Sequence, residues 1–82
     1  MPFSELARVG EEEELVAGRR PVEEAFAARR PAKRLLVVPD RRHALEQIVL
    51  HATTLRIPVV EVEGGTLTSL AGFDGHQGVA LV

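Results

Sequence analysis

Arg34-Leu35-Leu36-Val37-Val38-Pro39-Asp40 is the stretch on which the fold turns. An unbroken apolar run behind a charged lead-in fits a strand inside a sheet and covered on both faces, because an edge strand or a one-sided strand would alternate with polar residues. Pro39-Asp40 turns the chain. Asp40 is a candidate N-cap for a helix that carries Leu45, Ile48, Ala52 and Leu55 at helical spacing, a stripe expected to be buried.

Working outward toward the C-terminus, Ile57 precedes Pro58 and is steered away from helical angles. Pro58-Val59-Val60-Glu61-Val62 therefore reads as the next strand, broken by Gly64-Gly65. Thr66 is placed to cap a single turn holding Leu67 and Leu70. After the loop Ala71-Gly72-Phe73-Asp74-Gly75, a final strand runs from Gly78 to Val82. Toward the N-terminus, Leu15-Val16-Ala17 is a short strand ended by Gly18. A helix follows, opened by Pro21, whose missing N–H costs nothing at a first helical position. Val22, Ala25 and Phe26 share one face of it, Glu23 and Glu24 lie near its positive end and Arg29-Arg30 near its negative end, and Pro31 stops it. Four strands thus alternate with three helices. The expected architecture is α/β, a small three-layer α/β/α sandwich on a mixed, mostly parallel four-stranded sheet.

Eighty-two residues hold one domain. Residues 1–13 read as a flexible acidic N-terminal tail, with a loose helix through Leu6 and Val9 and a self-repelling Glu11–Glu14 block that packs against nothing evident; residues 14–82 form the folded unit. Hydrophobic residues at 45% and charged residues at 27% are ordinary for a soluble globular domain. Neither a membrane-length apolar stretch nor the pattern of a signal peptide is present, and there is no cysteine. A cytoplasmic protein without membrane partners is the expectation. The apolar final strand ends abruptly at Val82, which suggests a piece of a longer protein.

The net charge of −2 argues against wholesale affinity for nucleic acid, but the charges are unevenly spread. Between Arg19 and Arg42 lie eight basic residues against three acids; the remainder holds two basic residues and nine acids. Either one surface faces a polyanion, or paired arginines solvate helix ends. Gly18-Arg19-Arg20 sits between a strand end and a helix N-terminus, where unpaired N–H groups, the helix dipole and two guanidinium groups all favour a phosphate. The alternative is a plain turn that needs glycine for its backbone angles. Arg41-Arg42 opens the next helix in an equivalent position, under the same alternative.

His76-Gln77, flanked by Gly75 and Gly78, puts donors and acceptors on a turn able to approach another backbone closely. It either reads RNA edges and 2′-hydroxyls or braces its own loop. A catalytic role lacks a partner: Ser4 lies in the tail and Ser69 has no glycine-framed elbow. His43 and His51 are eight residues apart, not at the spacing at which two imidazoles share a metal, and Gly64-Gly65 belongs to neither common phosphate loop. No catalytic, metal or cofactor site is expected in this chain. With Phe26 assigned to the core and neither Trp nor Tyr present, no aromatic platform for splayed bases is expected, and RNA would be held by arginines and backbone amides.

Gly18-Arg19-Arg20-Pro21-Val22-Glu23-Glu24-Ala25, Arg34-Leu35-Leu36-Val37, Ile57-Pro58-Val59 and Gly75-His76-Gln77-Gly78-Val79-Ala80 occur in this order. Together they resemble the N-terminal substrate-binding domain of SpoU-type (TrmH-like) RNA 2′-O-ribose methyltransferases over residues 15–82. The resemblance implies a fold similar to the small kink-turn-binding ribosomal proteins. It also implies an RNA partner (rRNA or tRNA), and an adjoining C-terminal catalytic domain that binds S-adenosylmethionine and dimerises. Its RNA-facing edge would fall on Gly18, Arg19, Arg20, His76 and Gln77, with Arg41 and Arg42 added from the charge reading. Ala17, where the family often has an aromatic, and Arg56, where it often has glycine, depart from the pattern. The chain alone would be non-catalytic, and the rival reading is a protein-interaction or dimerisation module whose final strand, if at a sheet edge, offers a docking rail.

Overall fold

A computed structural model describes residues 9–10 and 13–82; the expected tail helix through Leu6 lies outside them. Four strands, β1 (Val16–Ala17), β2 (Leu35–Val37), β3 (Val59–Glu61) and β4 (Val79–Leu81), alternate with helices α1 (Arg19–Ala27), α2 (Glu46–Thr54) and α3 (Gly64–Ala71), plus a 3-10 turn at Pro39–Arg41. The sheet order is β1-β4-β2-β3.

β2 is the interior strand its composition demands, with Leu35, Leu36 and Val37 all fully buried. Successive side chains of a strand point to opposite faces, and the two halves of the core divide accordingly. Leu35, Val37, Val79 and Leu81 pack with Val22 and Ala25 of α1 and with Ile48, Val49 and Ala52 of α2. Leu36 and Ala80 pack on the other face with Val62, Leu67 of α3 and Val82. Two helices therefore cover one side of the sheet and one the other.

The sheet is mixed but not mostly parallel: β2 pairs parallel with β3 and antiparallel with β4, which also runs antiparallel to β1. The cause is α3. Eight residues advance only about 12 Å, and the chain then folds back along this short helix instead of crossing the sheet, so β4 starts beside the C-terminal end of β2, with Val79 opposite Val37. β4 is consequently interior, flanked by β1 and β2, and offers no docking rail.

Local signals were displaced in several places. α1 begins at Arg19, so Pro21 is its third residue rather than its first, and neither Glu23 nor Glu24 falls in its first turn. Asp40 caps no α-helix, because residues 39–41 form the 3-10 turn and α2 begins only at Glu46. Leu55 falls just beyond α2 and is 53% exposed, Val49 taking its place in the core. Gly64 and Gly65 open α3 rather than merely ending a strand, and Thr66 lies inside that helix.

α1 and α2 end alike. Arg30 N–H bonds to Ala25 C=O and Arg29 N–H to Phe26 C=O, while Ile57 N–H bonds to Ala52 C=O and Arg56 N–H to Thr53 C=O. These paired bonds are the Schellman closure, with Arg29 (φ 55°) and Arg56 (φ 61°) at the left-handed position where glycine fits best. The departure noted at Arg56 thus costs strain at a helix end without altering the path of the chain.

Candidate nucleic-acid interface

The strand register gathers four segments at one end of the sheet. Val37 lies opposite both Glu61 and Val79, and Ala17 opposite Ala80. The exits of β1, β2 and β3 and the entry to β4 therefore coincide, and with them residues 18–20, 38–42, 62–65 and 74–78. A shallow cleft of about 250 Å³ opens there between Asp40, Arg41, Gly64, Thr68, Asp74 and the 76–78 turn.

His76-Gln77-Gly78-Val79 is a tight turn closed by Val79 N–H to His76 C=O at 3.3 Å. Gln77 (φ 58°) and Gly78 (φ 80°) both take positive φ, as in a type I′ hairpin turn. Glycine is doubly required at 78, since a Cβ there would stand 2.5 Å from Cγ and 2.7 Å from Cβ of Arg41. The stem of Arg41 thus lies directly on the turn. His76 is only 7% exposed. Gly78 N–H donates to its Nδ1 at 2.9 Å, which fixes a neutral ring carrying its proton on Nε2. Nε2–H then donates to Thr68 Oγ1 at 3.0 Å, and the Thr68 hydroxyl donates to Gly64 C=O at 3.0 Å. Of the two sequence readings, edge reader or brace, the imidazole has the geometry of the brace.

Gln77 reaches the other way. Its Oε1 accepts from Arg19 N–H at 3.0 Å, while Gly18 N–H donates to Val79 C=O. The two motifs that are 58 residues apart in sequence are thereby joined through one side chain. This alters the expected anion site at the start of α1: Arg19 N–H is already taken and Pro21 has none, which leaves Arg20 N–H and the arginine side chains to meet an anion. Arg19 leans on Glu23 at 3.6 Å, with both side chains about half exposed. Arg20 is exposed and, like Arg41, makes no ion pair among the described residues. Arg42 meets Glu61 at 3.7 Å, a solvent-exposed pairing of small energetic weight. Neither Arg41 nor Arg42 stands at a helix N-terminus as expected; both belong to the 3-10 turn and its exit.

The run of eight basic residues is divided by the fold. Arg19, Arg20, Arg41 and Arg42 occupy this loop end, whereas Arg29 and Arg30 at the far end of α1, and Lys33 and Arg34 at the entry to β2, lie at the opposite end. There the acidic block supplies partners. Glu13 bonds to Arg34 at 2.9 Å and Lys33 at 3.1 Å, and Glu14 to Arg30 at 2.7 Å. Glu13, assigned by sequence to a block that packs against nothing, is instead largely covered, its side chain 16% exposed. The Arg34 guanidinium, followed by Gly10 N–H and Lys33, lowers its carboxyl from 4.5 to about 2.

Residues 15–82 match the family model described as RNA 2′-O ribose methyltransferase substrate binding. The chain belongs to this family. No curated protein and no solved structure matches it. The match covers every strand and helix described above, from β1 through β4.

Two contacts at this end of the sheet escaped the sequence reading. Thr68 looks like any helical threonine, and nothing in its neighbours announces a partner eight residues on. The contact of Arg41 with Gly78 was likewise invisible, because it joins segments that only the antiparallel entry of β4 brings together.

Proposed function

We propose that this chain is the RNA-holding unit of an S-adenosylmethionine-dependent RNA 2′-O-ribose methyltransferase, presenting rRNA to a catalytic domain and performing no chemistry itself. The observation that carries the reading is the Gln77–Arg19 bond, which makes the two family motifs one surface bearing Arg20 and Arg41, neither of which makes an ion pair among the described residues. Arg19, Arg20, Arg41 and Arg42 would contact phosphates, Gln77 and Gly18 would set the surface, and His76 would hold the turn beneath it. The likeness to kink-turn-binding ribosomal proteins belongs to the same reading.

Binding of the methyl donor is assigned, in this reading, to the catalytic domain that the family resemblance implies. A cytoplasmic setting and a dimer formed through that domain complete the proposal.

Fluorescence anisotropy of a labelled rRNA fragment, titrated at several salt concentrations beside a polyanion control, tests it. Salt-dependent binding that exceeds the control supports it; absence of binding at low salt removes it. A second reading, docking of the domain on its catalytic partner or on another copy, draws on Leu50, 58% exposed over a cleft lined by Pro39, Val49 and Thr53. A stable dimer by light scattering, without RNA affinity, would favour that reading.

A further inference from the structure

Phe73 immediately precedes the 74–78 segment of the candidate interface. It is 48% exposed, whereas Phe26 packs against the core and stacks with His51 at a centroid distance of 4.7 Å. An exposed phenylalanine alone means little; the way this one is held means more. Gly72, left-handed at φ 82°, ends α3 with its N–H bonded to Thr68 C=O. Three residues after Phe73, His76 bonds to Thr68 again, this time to its hydroxyl. One threonine thus anchors both sides of the short segment that carries the ring. The ring also rests on Gly75, where a Cβ would come within 3.4 and 3.5 Å of Cδ2 and Cε2. Backbone supports the ring on that side while nearly half of the residue stays open to solvent.

We infer that Phe73 is a stacking platform for one unpaired base of the bound RNA. The inference rests on the RNA-binding reading and narrows its substrate class. Phe73 lies four positions before Gln77, so the two Cα atoms are at most about 14 Å apart, and a strand whose phosphates meet Arg41 or Arg20 passes within a few nucleotides of the ring. A base can lie on an aromatic face only when it is unstacked from its neighbours. The preferred ligand is therefore a hairpin loop, bulge or single-stranded junction, not an unbroken duplex, and the platform is indifferent to base identity because every base has a π-face. The arginines hold phosphates of either form; the phenylalanine separates them.

Anisotropy with two RNAs tests this: a hairpin with an unpaired loop, and its stem closed as a blunt duplex. The wild-type chain is expected to prefer the hairpin. Phe73→Ala is expected to weaken hairpin binding roughly 5- to 100-fold and leave duplex binding unchanged, while Phe73→Trp keeps the preference. A 2-aminopurine in the loop should brighten as it unstacks onto the ring of the wild type and change little with Phe73→Ala. Thermal unfolding checks that the variants fold, and Phe73→Leu replaces Phe73→Ala if the latter does not. Equal hairpin affinity in wild type and the Ala or Leu variant, or an equal loss for both RNAs, overturns the inference while leaving RNA binding intact. Failure of the wild type to bind either RNA overturns both.

Discussion

Replacing Thr68 by valine changes one hydroxyl for a methyl at nearly constant volume, and its consequence can be worked from the contacts. Nε2–H of His76, on a residue 7% exposed, loses its acceptor, and a buried donor left unmade costs about 1–3 kcal/mol. Thr68 also loses its bond to Gly64 C=O, but Thr54 makes the same one-turn bond to Leu50 C=O at 2.9 Å on an exposed surface with no histidine involved. The difference between Thr68→Val and Thr54→Val therefore isolates the brace. In a domain of this size it should amount to about 5–20 °C in Tm. Urea unfolding and ¹H–¹⁵N spectra are the assays. The Gly78 amide, which donates to Nδ1, and the Arg19 amide, held by Gln77, should both shift although neither touches residue 68. In a His76→Phe background Thr68→Val should lose most of its extra cost. A difference below about 0.5 kcal/mol with both amides unmoved would refute the claim that His76 holds the turn through Thr68.

Further outcomes follow from the same contacts. Gly78→Ala is expected to destabilise by at least about 1–3 kcal/mol, since it adds positive-φ strain to the clash with Arg41; Arg41→Gly should recover part of the loss, measured by thermal melts, and no recovery would place the cost wholly in the backbone. Arg29→Gly and Arg56→Gly, each relieving a left-handed arginine, are expected to stabilise by about 0.5–1 kcal/mol, read as a rise in the urea midpoint; a fall would show that the arginine stems pack usefully there. Glu13, its carboxyl lowered in the fold from 4.5 to about 2, contributes stability that is full above about pH 4.5 and lost as the pH falls toward 2. Glu13→Gln should therefore lower the urea midpoint at pH 7, with the two proteins converging at the acid end; parallel curves down to pH 2 would contradict the pairing with Arg34.

What the sequence made legible was the periodic part. Leu35-Leu36-Val37 needed burial on both faces and received it, and Val22, Ala25 and Phe26 formed the inward face of α1. Direction was not legible, because whether β4 enters parallel or antiparallel depends on how far α3 carries the chain and on how the 72–78 loop folds back. The charge run illustrates a similar limit. Eight basic residues close in sequence straddle α1 and β2, both of which cross the domain, so half of them emerge at the opposite end, where Arg30, Lys33 and Arg34 meet Glu13 and Glu14. Of the candidate site residues, Arg19 and Gln77 were named in separate motifs and are joined by a hydrogen bond that no local pattern encodes. Phe73 was passed over because exposure, unlike apolarity, is a property of the folded loop.

The most direct test of the account is the salt dependence of RNA affinity in two double variants that remove the same charge from opposite ends of the sheet. Each phosphate contact contributes about 0.7–0.9 to the slope of log K against log salt. Arg20→Ala/Arg41→Ala is expected to flatten that slope by about 1.5, and Arg29→Ala/Arg30→Ala to leave it unchanged. A slope that flattens only in the second pair would place the RNA at the other end of the domain and contradict the interface described here.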